Sequence, residues 1–344
     1  MKLKSIFGLL FSLLFTFELA AQEAKVTIHV VGEDDLPIAD AKVEAQLENV
    51  GSPGSGWGNT TLNSVKGVTD TNGICILTGK GNEPSVGIGV LKEGTYNADS
   101  YGVEFTGSIL GRWQPWNPTI EVVLQKIGVQ VPMYARKFWQ GKMPSENKPC
   151  GFDLMAGDWV APYGKGETSD FIFQLDHGPE QTITNRYGHV RLYDNKLTIK
   201  FSNDSDGIQR LIPIPHSGLK SPRLAPLEGY QPTLTKRDAL EEVTEPTPHE
   251  KEFHITERTI SDYQKDANYF FRLRTKKDPG GNITSAFYGK IYGEFGGYVD
   301  MRKTIFRLGF TYYLNPEPNS RNMEFDPKKN LFKNLKPLEQ VTAP

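Results

Sequence analysis

The residues whose types and spacing could do chemistry fall into three groups: tryptophans on loops, paired aspartates, and short glycine-rich or oxygen-rich turns. Trp57 lies in the glycine-rich stretch 51–58, and Trp113 and Trp116 lie in Arg112-Trp113-Gln114-Pro115-Trp116-Asn117-Pro118. An indole on a loop can stack on a sugar ring or fill a partner's pocket, so these three are the candidate ligand-binding residues. The opposing reading folds Trp113 and Trp116 back under their two prolines to seal the interface between the two domains. Trp139 and Trp159 sit in the opening of the second domain, which begins at residue 128, and read as core. Asp153 with Asp158, and Asp170 with Asp176, are carboxylate pairs of the type a glycosidase uses, where their separation in space would decide the outcome. Asn203-Asp204-Ser205-Asp206-Gly207 clusters oxygens but lacks the glutamate that closes a calcium loop, and reads as a solvated turn.

Other chemistries lack their residues. There is no G-x-S-x-G, and Gly54-Ser55-Gly56 sits in a loop rather than at a strand-to-helix elbow. The six histidines show no zinc spacing, Gly164-Lys165-Gly166 lacks the rest of a phosphate loop, and no G-x-G-x-x-G feeds a helix. The expectation is therefore no catalytic residue, no metal and no cofactor. Lys and Arg number 39 against 41 Asp and Glu, a net charge of −2, which argues against a nucleic-acid partner. Two cysteines exclude a disulfide scaffold.

These residues must be carried by a framework, and its first feature is an export signal. Lys2 and Lys4 precede the apolar run from Ile6 to Phe17, and Leu19-Ala20-Ala21 supplies small residues for cleavage, so 1–21 reads as a signal peptide. The run is too short to span a bilayer, and no later segment is apolar enough to do so. The expected location is secreted or periplasmic.

From Ala24 the apolar period is two: Val26, Ile28 and Val30 alternate with Thr27, His29 and Val31. Further strands are expected over 38–45, 74–77, 86–91 and 119–125, with turns at 33–37 and 68–73, which makes a β-sandwich. Leu36-Pro37-Ile38-Ala39-Asp40-Ala41-Lys42-Val43, Thr69-Asp70-Thr71-Asn72-Gly73-Ile74-Cys75 and Lys92-Glu93-Gly94-Thr95-Tyr96 carry a resemblance. In that order they resemble the opening, the turn and the following element of carboxypeptidase regulatory-like and bacterial Ig-like domains. Asp35 departs from the usual opening glycine, and Cys75 from the usual aromatic. The resemblance covers 24–127 and implies a seven-strand, transthyretin-like sandwich with no chemistry of its own. Independently of it, Asp70 suits a side-chain cap on its turn and Gly73 a positive φ.

The remainder, 128–344, reads as a larger β-rich domain, an antiparallel sandwich or jelly roll making the chain all-β. Strands are expected at 171–175, 187–192, 196–201, 268–275, 283–293 and 304–314. Asp194-Asn195 is a hairpin signal, and Asp278-Pro279-Gly280-Gly281-Asn282 a stronger one. Charged Lys236 to Thr256 reads mostly as loop, with a helical turn or two at Asp238 to Val243. Cys75 should point inward with Leu77, Cys150 should sit on a loop, and the two thiols should stay unpaired.

Three functions follow from this framework. The first is a non-catalytic exported binding or structural protein, partnered by a cell-surface protein or a polysaccharide. The second is a carbohydrate-binding protein using the loop tryptophans. The third is a secreted glycan hydrolase using a carboxylate pair.

Overall fold

The structure is a computed structural model. It describes residues 21–50, 60–145, 148–178, 181–185, 188–246, 253–264, 267–300 and 305–344. The signal-peptide reading and Trp57 therefore lie outside the described residues, apart from Ala21. Among those residues the chain is strands, turns and two 3-10 turns, and no helix is long and apolar enough to cross a membrane. It divides into two compact units, the first ending at Lys126 and the second beginning at Ile127.

Unit 1 begins with β1 (Gln22–Gly32), β2 (Lys42–Val50) and β3 (Thr60–Val68). β4 (Ile74–Gly81), β5 (Ser85–Leu91) and β6 (Ala98–Glu104) follow, then β7 (Gly107–Ile109), β8 (Arg112–Gln114) and β9 (Thr119–Leu124). One sheet has the order β4-β1-β8-β7, with β9 also on β1, and the other has the order β3-β2-β5-β6. Alternate residues of both sheets make one core: Val26, Ile28, Val30 and Val122 of the first sheet face Val43, Leu47 and Ile88 of the second. Each such fully buried aliphatic side chain contributes about 1.5–3 kcal/mol. Cys75 and Leu77 point into that core while Ile74 and Ile76 face out, as the alternation predicts.

One strand was unforeseen for a plain physical reason. β3 buries none of its side chains and so carries no hydrophobic period to read. It exists because β2 pairs with it along all nine of its positions, a non-local cause. With β6, β7 and β8 it makes nine strands among the described residues of the unit, against the seven implied by the resemblance. The turn chemistry does appear as read: Asp70 Oδ1 accepts from the N–H groups of Asn72 and Ile74, both at 2.9 Å. Gly73 has φ +72°, and a Cβ there would meet the Val30 carbonyl oxygen at 2.4 Å.

Unit 2 is an antiparallel sandwich. Its strands start with β10 (Tyr134–Lys142), β11 (Cys150–Asp153), β12 (Asp158–Trp159) and β13 (Phe171–His177). β14 (Gln181–Asn185), β15 (Gly188–Lys200), β16 (Gly207–Leu211) and β17 (Thr233–Pro246) follow. β18 (Phe253–Ser261), β19 (Asn268–Lys277), β20 (Ile283–Asp300) and β21 (Ile305–Asn315) complete it. A sheet ordered β10-β21-β20-β19-β16 faces one ordered β12-β11-β13-β15-β17-β18, with β14 on β15. Between them lies an aromatic core in which Phe138, Phe152, Phe171, Phe173, Phe271, Phe310 and Trp159 meet edge to face or tilted. Such pairs add about 0.5–1.5 kcal/mol beyond area burial. The other face of the five-stranded sheet is covered by Met323, Phe325 and Val341 packed on Met133, Tyr288 and Tyr313.

Three expectations for this unit are corrected. Asp194-Asn195 is no turn: β15 runs straight through it, because Arg237 clamps Asp194 through two 2.9 Å bonds and His177 holds Asn195 at 2.6 Å. The hairpin partner of β15 is β14, paired from Gln181↔Leu192 to Asn185↔Gly188. Of the charged segment 236–256, the described residues are strand: 236–246 belong to β17 and 253–256 open β18, paired in register from Asp238↔Ser261 to Pro246↔Phe253, while the rest lies outside the described residues. Its charges are cross-strand partners, Glu241 opposite Arg258 at 3.2 Å, which stabilises a solvated ladder. Cys150 is not on a loop but opens β11 and is buried. Both cysteines are free thiols.

Candidate functional site

Two strands of unit 2 outrun their neighbours. β20 leaves β19 after Tyr292 and continues against β21, and β17 leaves β15 after Leu240 and continues against β18. A cleft with two arms opens where β20 leaves β19, beside Lys236, Arg237 and Asp238 of β17. The first arm, about 240 Å³, is lined by Leu175, Asn195, Lys236, Asp238, Ser261 and Phe295 among others. The second, about 390 Å³, is lined by Lys137, Trp139, Tyr292, Arg307, Gly309 and Thr311. Tyr263 and Glu294 border both arms.

Irregular pairing builds the junction. On β20 the residues Gly293, Glu294 and Phe295 stand opposite the single residue Phe310, and on β10 Trp139 and Gln140 stand opposite Gly309. Gly293 supplies the positive φ, +82°, that such a bulge needs. Consecutive residues of a regular strand face opposite ways, yet Glu294 and Phe295 are both buried, an outcome the bulge permits. Trp139 has a different cause. It shares a face of β10 with Met133 and Ala135, which are covered, but it lies beyond that cover and is 53% exposed.

Glu294 is the most heavily bonded group in the cleft. Its carboxylate meets Lys236 Nζ at 2.8 Å and accepts from the Tyr269 hydroxyl at 2.7 Å. The N–H groups of Phe295 and Gln264 donate to it at 3.1 and 3.3 Å. Both oxygens thus have two donors each, as a buried carboxylate requires. Burial and the neighbouring Glu294 hydrogen bond push the Tyr269 phenol up, which keeps it a donor. Burial likewise raises the Asp238 carboxyl, against the lowering hydrogen bonds of Tyr193 and Ser261. At the rim Arg237 is fixed by Asp194 and Glu241.

The residues singled out by the sequence lie elsewhere. Trp113 is core: 9% exposed, stacked on Phe105 at 5.9 Å, with its indole N–H donating to the Gly81 carbonyl. Trp116 is half-buried beneath the Arg112 guanidinium, 4.9 Å from its ring centre. Trp113 and Trp116 therefore do not form a platform of exposed indoles, and Trp57 lies outside the described residues. The aspartate pairs are structural. Arg274 bridges Asp170 at 2.7 Å and Asp153 at 3.2 Å, while Asp153 also accepts four backbone N–H groups. Asp158 caps its own turn through Trp159 and Lys165. Asp176 lies near the far end of β13 from Asp170, which directly precedes that strand, about 20 Å away at the usual rise. Asp206 is buried rather than solvated as its turn was read to be, because its carboxylate accepts from the N–H groups of Arg274 and Thr275.

Trp139 reverses its expected core role, while Trp159 keeps it. Glu294, Lys236 and Tyr263 were not singled out at all. The available signal was Gly293-Glu294-Phe295-Gly296-Gly297, which interrupts the alternation of a long strand.

No family model matches the chain, and no curated protein matches it. Among solved structures, a variant of the shaft pilin SpaA from Lactobacillus rhamnosus GG aligns with 78% of this chain and 93% of its own. The identity is 10% and the TM-score 0.21, a superposition too loose to fix topology or role.

Proposed function

We propose that the chain is an exported, non-catalytic binding protein whose second unit holds a glycan in the cleft between Trp139 and Tyr263. One observation carries this reading. Two exposed rings, 53% and 60% accessible, flank a cleft furnished with fixed polar groups. Sugars are bound in this way, with aromatic faces under the apolar side of the ring and placed donors and acceptors around the hydroxyls. Asn195, Ser261 and Asp238 supply the polar groups on strands or at their ends, which holds them rigidly. Export is supported by Lys2, Lys4, the apolar run and Ala20-Ala21. Unit 1 serves in this proposal as an accessory module of the carboxypeptidase regulatory-like kind.

A second reading has one observation in its favour: Asp238, with its raised carboxyl, and Glu294 line the same arm, as a hydrolase's acid and base would. The bonding of Glu294 opposes it. A base or nucleophile needs a lone pair toward substrate, and with two donors on each oxygen at least one of them would have to be released first. Binding the exported chain to an immobilised glycan panel tests both. Trp139→Ala and Tyr263→Ala should each weaken the captured glycan by about tenfold or more without lowering the melting temperature. Retained affinity in both variants would refute the binding reading, and glycan cleavage abolished by Asp238→Asn would establish the hydrolase.

A further inference from the structure

Unit 1 offers a surface independent of the cleft, the outer edge of β3. We propose that this edge pairs antiparallel with β3 of a second copy of the chain, joining two four-stranded sheets into one. The hydrogen bonds around β2 decide which groups are on offer. Antiparallel strands alternate between residue pairs that exchange main-chain bonds and pairs that do not. Val50 exchanges bonds of 2.8 and 2.7 Å with the Asn82 side chain, and the Glu48 carbonyl accepts from the N–H groups of Asn82 and Glu83. Asn82 leads into β5, on the other side of β2, so Glu48 and Val50 are turned away from β3. At the opposite end the Thr69 N–H donates to the Ala41 carbonyl at 3.0 Å, which again makes the odd-numbered positions the bonded ones. The bonds to β2 therefore fall at Thr61, Asn63, Val65 and Gly67 of β3. The main-chain groups of Thr60, Leu62, Ser64, Lys66 and Val68 point outward, and among the described residues no strand pairs with them.

Native sheet edges are blunted by charges, proline, bulges or cover. β6 has an irregular register, and its Tyr101 hydroxyl accepts from the Val123 N–H of the other sheet, while β18 carries Glu257 and Arg258. β3 has nine residues in unbroken register, no proline, and a single charge, Lys66, which meets Glu44 at 3.7 Å. Its sequence also matches itself about a two-fold axis. Opposed residues of antiparallel strands share a face, so full overlap sets Ser64 against Ser64 of the second copy, Leu62 against Lys66 and Thr60 against Val68. All the outward-pointing residues then become bonded pairs, about ten hydrogen bonds, the number a stable protein interface carries. Leu62, 60% exposed, lies along the aliphatic stem of Lys66, and Val68, 55% exposed, meets the β-branched Thr60. The two lysines stand four residues apart along the paired strands, about 13 Å, so the one charge on β3 is never set against its own copy.

Sedimentation equilibrium of the exported chain is the test: a dimer is expected, and a chain still monomeric at about 0.1 mM would overturn the proposal. In Leu62→Lys the new ammonium stands opposite Glu48 within its own sheet, which spares the fold, but opposite Lys66 across the axis. That variant should dimerise about tenfold or more weakly while keeping the parent's circular dichroism. Ser64→Pro removes an outward N–H that the fold does not use, and should weaken the dimer likewise. Oxidation of cysteine variants reads the register. The Cα atoms of a bonded pair lie about 5.5 Å apart, within disulfide reach. Ser64→Cys should therefore give a covalent dimer, whereas Leu62→Cys, whose copies lie about 13 Å apart along the strands, should not. Undiminished dimer affinity in either Leu62→Lys or Ser64→Pro would put the contact on another surface and overturn the pairing. Crosslinking that does not favour Ser64→Cys over Leu62→Cys would overturn it as well.

Discussion

Glu294 holds the junction of the cleft, and its removal should be felt through what it leaves behind. Lys236 would then keep a largely buried charge with its partner gone. Breaking one side of such a pair costs about 3–5 kcal/mol, so Glu294→Ala should lower the urea midpoint of unit 2 accordingly. A loss below about 1 kcal/mol would show the pair to be solvated. In unit 1 the corresponding residue is Gly73. Gly73→Ala forces a Cβ onto the Val30 carbonyl at a positive φ, and should cost about 1–3 kcal/mol in the same measurement. The two residues also mark what could be read beforehand. Gly73 and Asp70 were legible because their bonds close within a few residues. Glu294 and Trp139 were not, since their exposure and partners depend on pairing with strands far away in the chain.

At the scale of elements, buried alternation was the readable signal and polar pairing the unreadable one. β1, β5, β9, β13, β19 and β21 announce themselves through apolar period or turn chemistry, whereas β3 and β17 are strands because a neighbour pairs with them. The β11–β12 hairpin illustrates how a charge can hold an element in place. Burial raises the Asp153 carboxyl, but the N–H groups of Ala156, Thr168 and Glu167 and the charge of Arg274 outweigh it and leave it below the ordinary value. A carboxyl depressed in the folded state stabilises above its unfolded pKa, about 3.9, and loses that contribution as pH falls through the lower folded value. The stability difference between the parent and Asp153→Asn should thus be constant from pH 7 to about 5 and shrink below about 3.9. A difference that grows on acidification would contradict the assignment.

For the whole molecule, each unit has its own core, and each core contains one unpaired thiol. Unreduced, denatured protein should titrate two thiols, and the native fold should protect both, because burial raises Cys75 and Cys150 above the ordinary thiol value. A titre of none after denaturation would show a bond that the fold does not contain. The central claim concerns the cleft of unit 2 and is tested most directly by one comparison: calorimetric titration of the exported chain and of Trp139→Ala with the glycan captured from the panel. The cleft account predicts one binding site per chain in the parent and no measurable heat in a Trp139→Ala variant that melts at the parent's temperature. Equal affinity in the two proteins would contradict it.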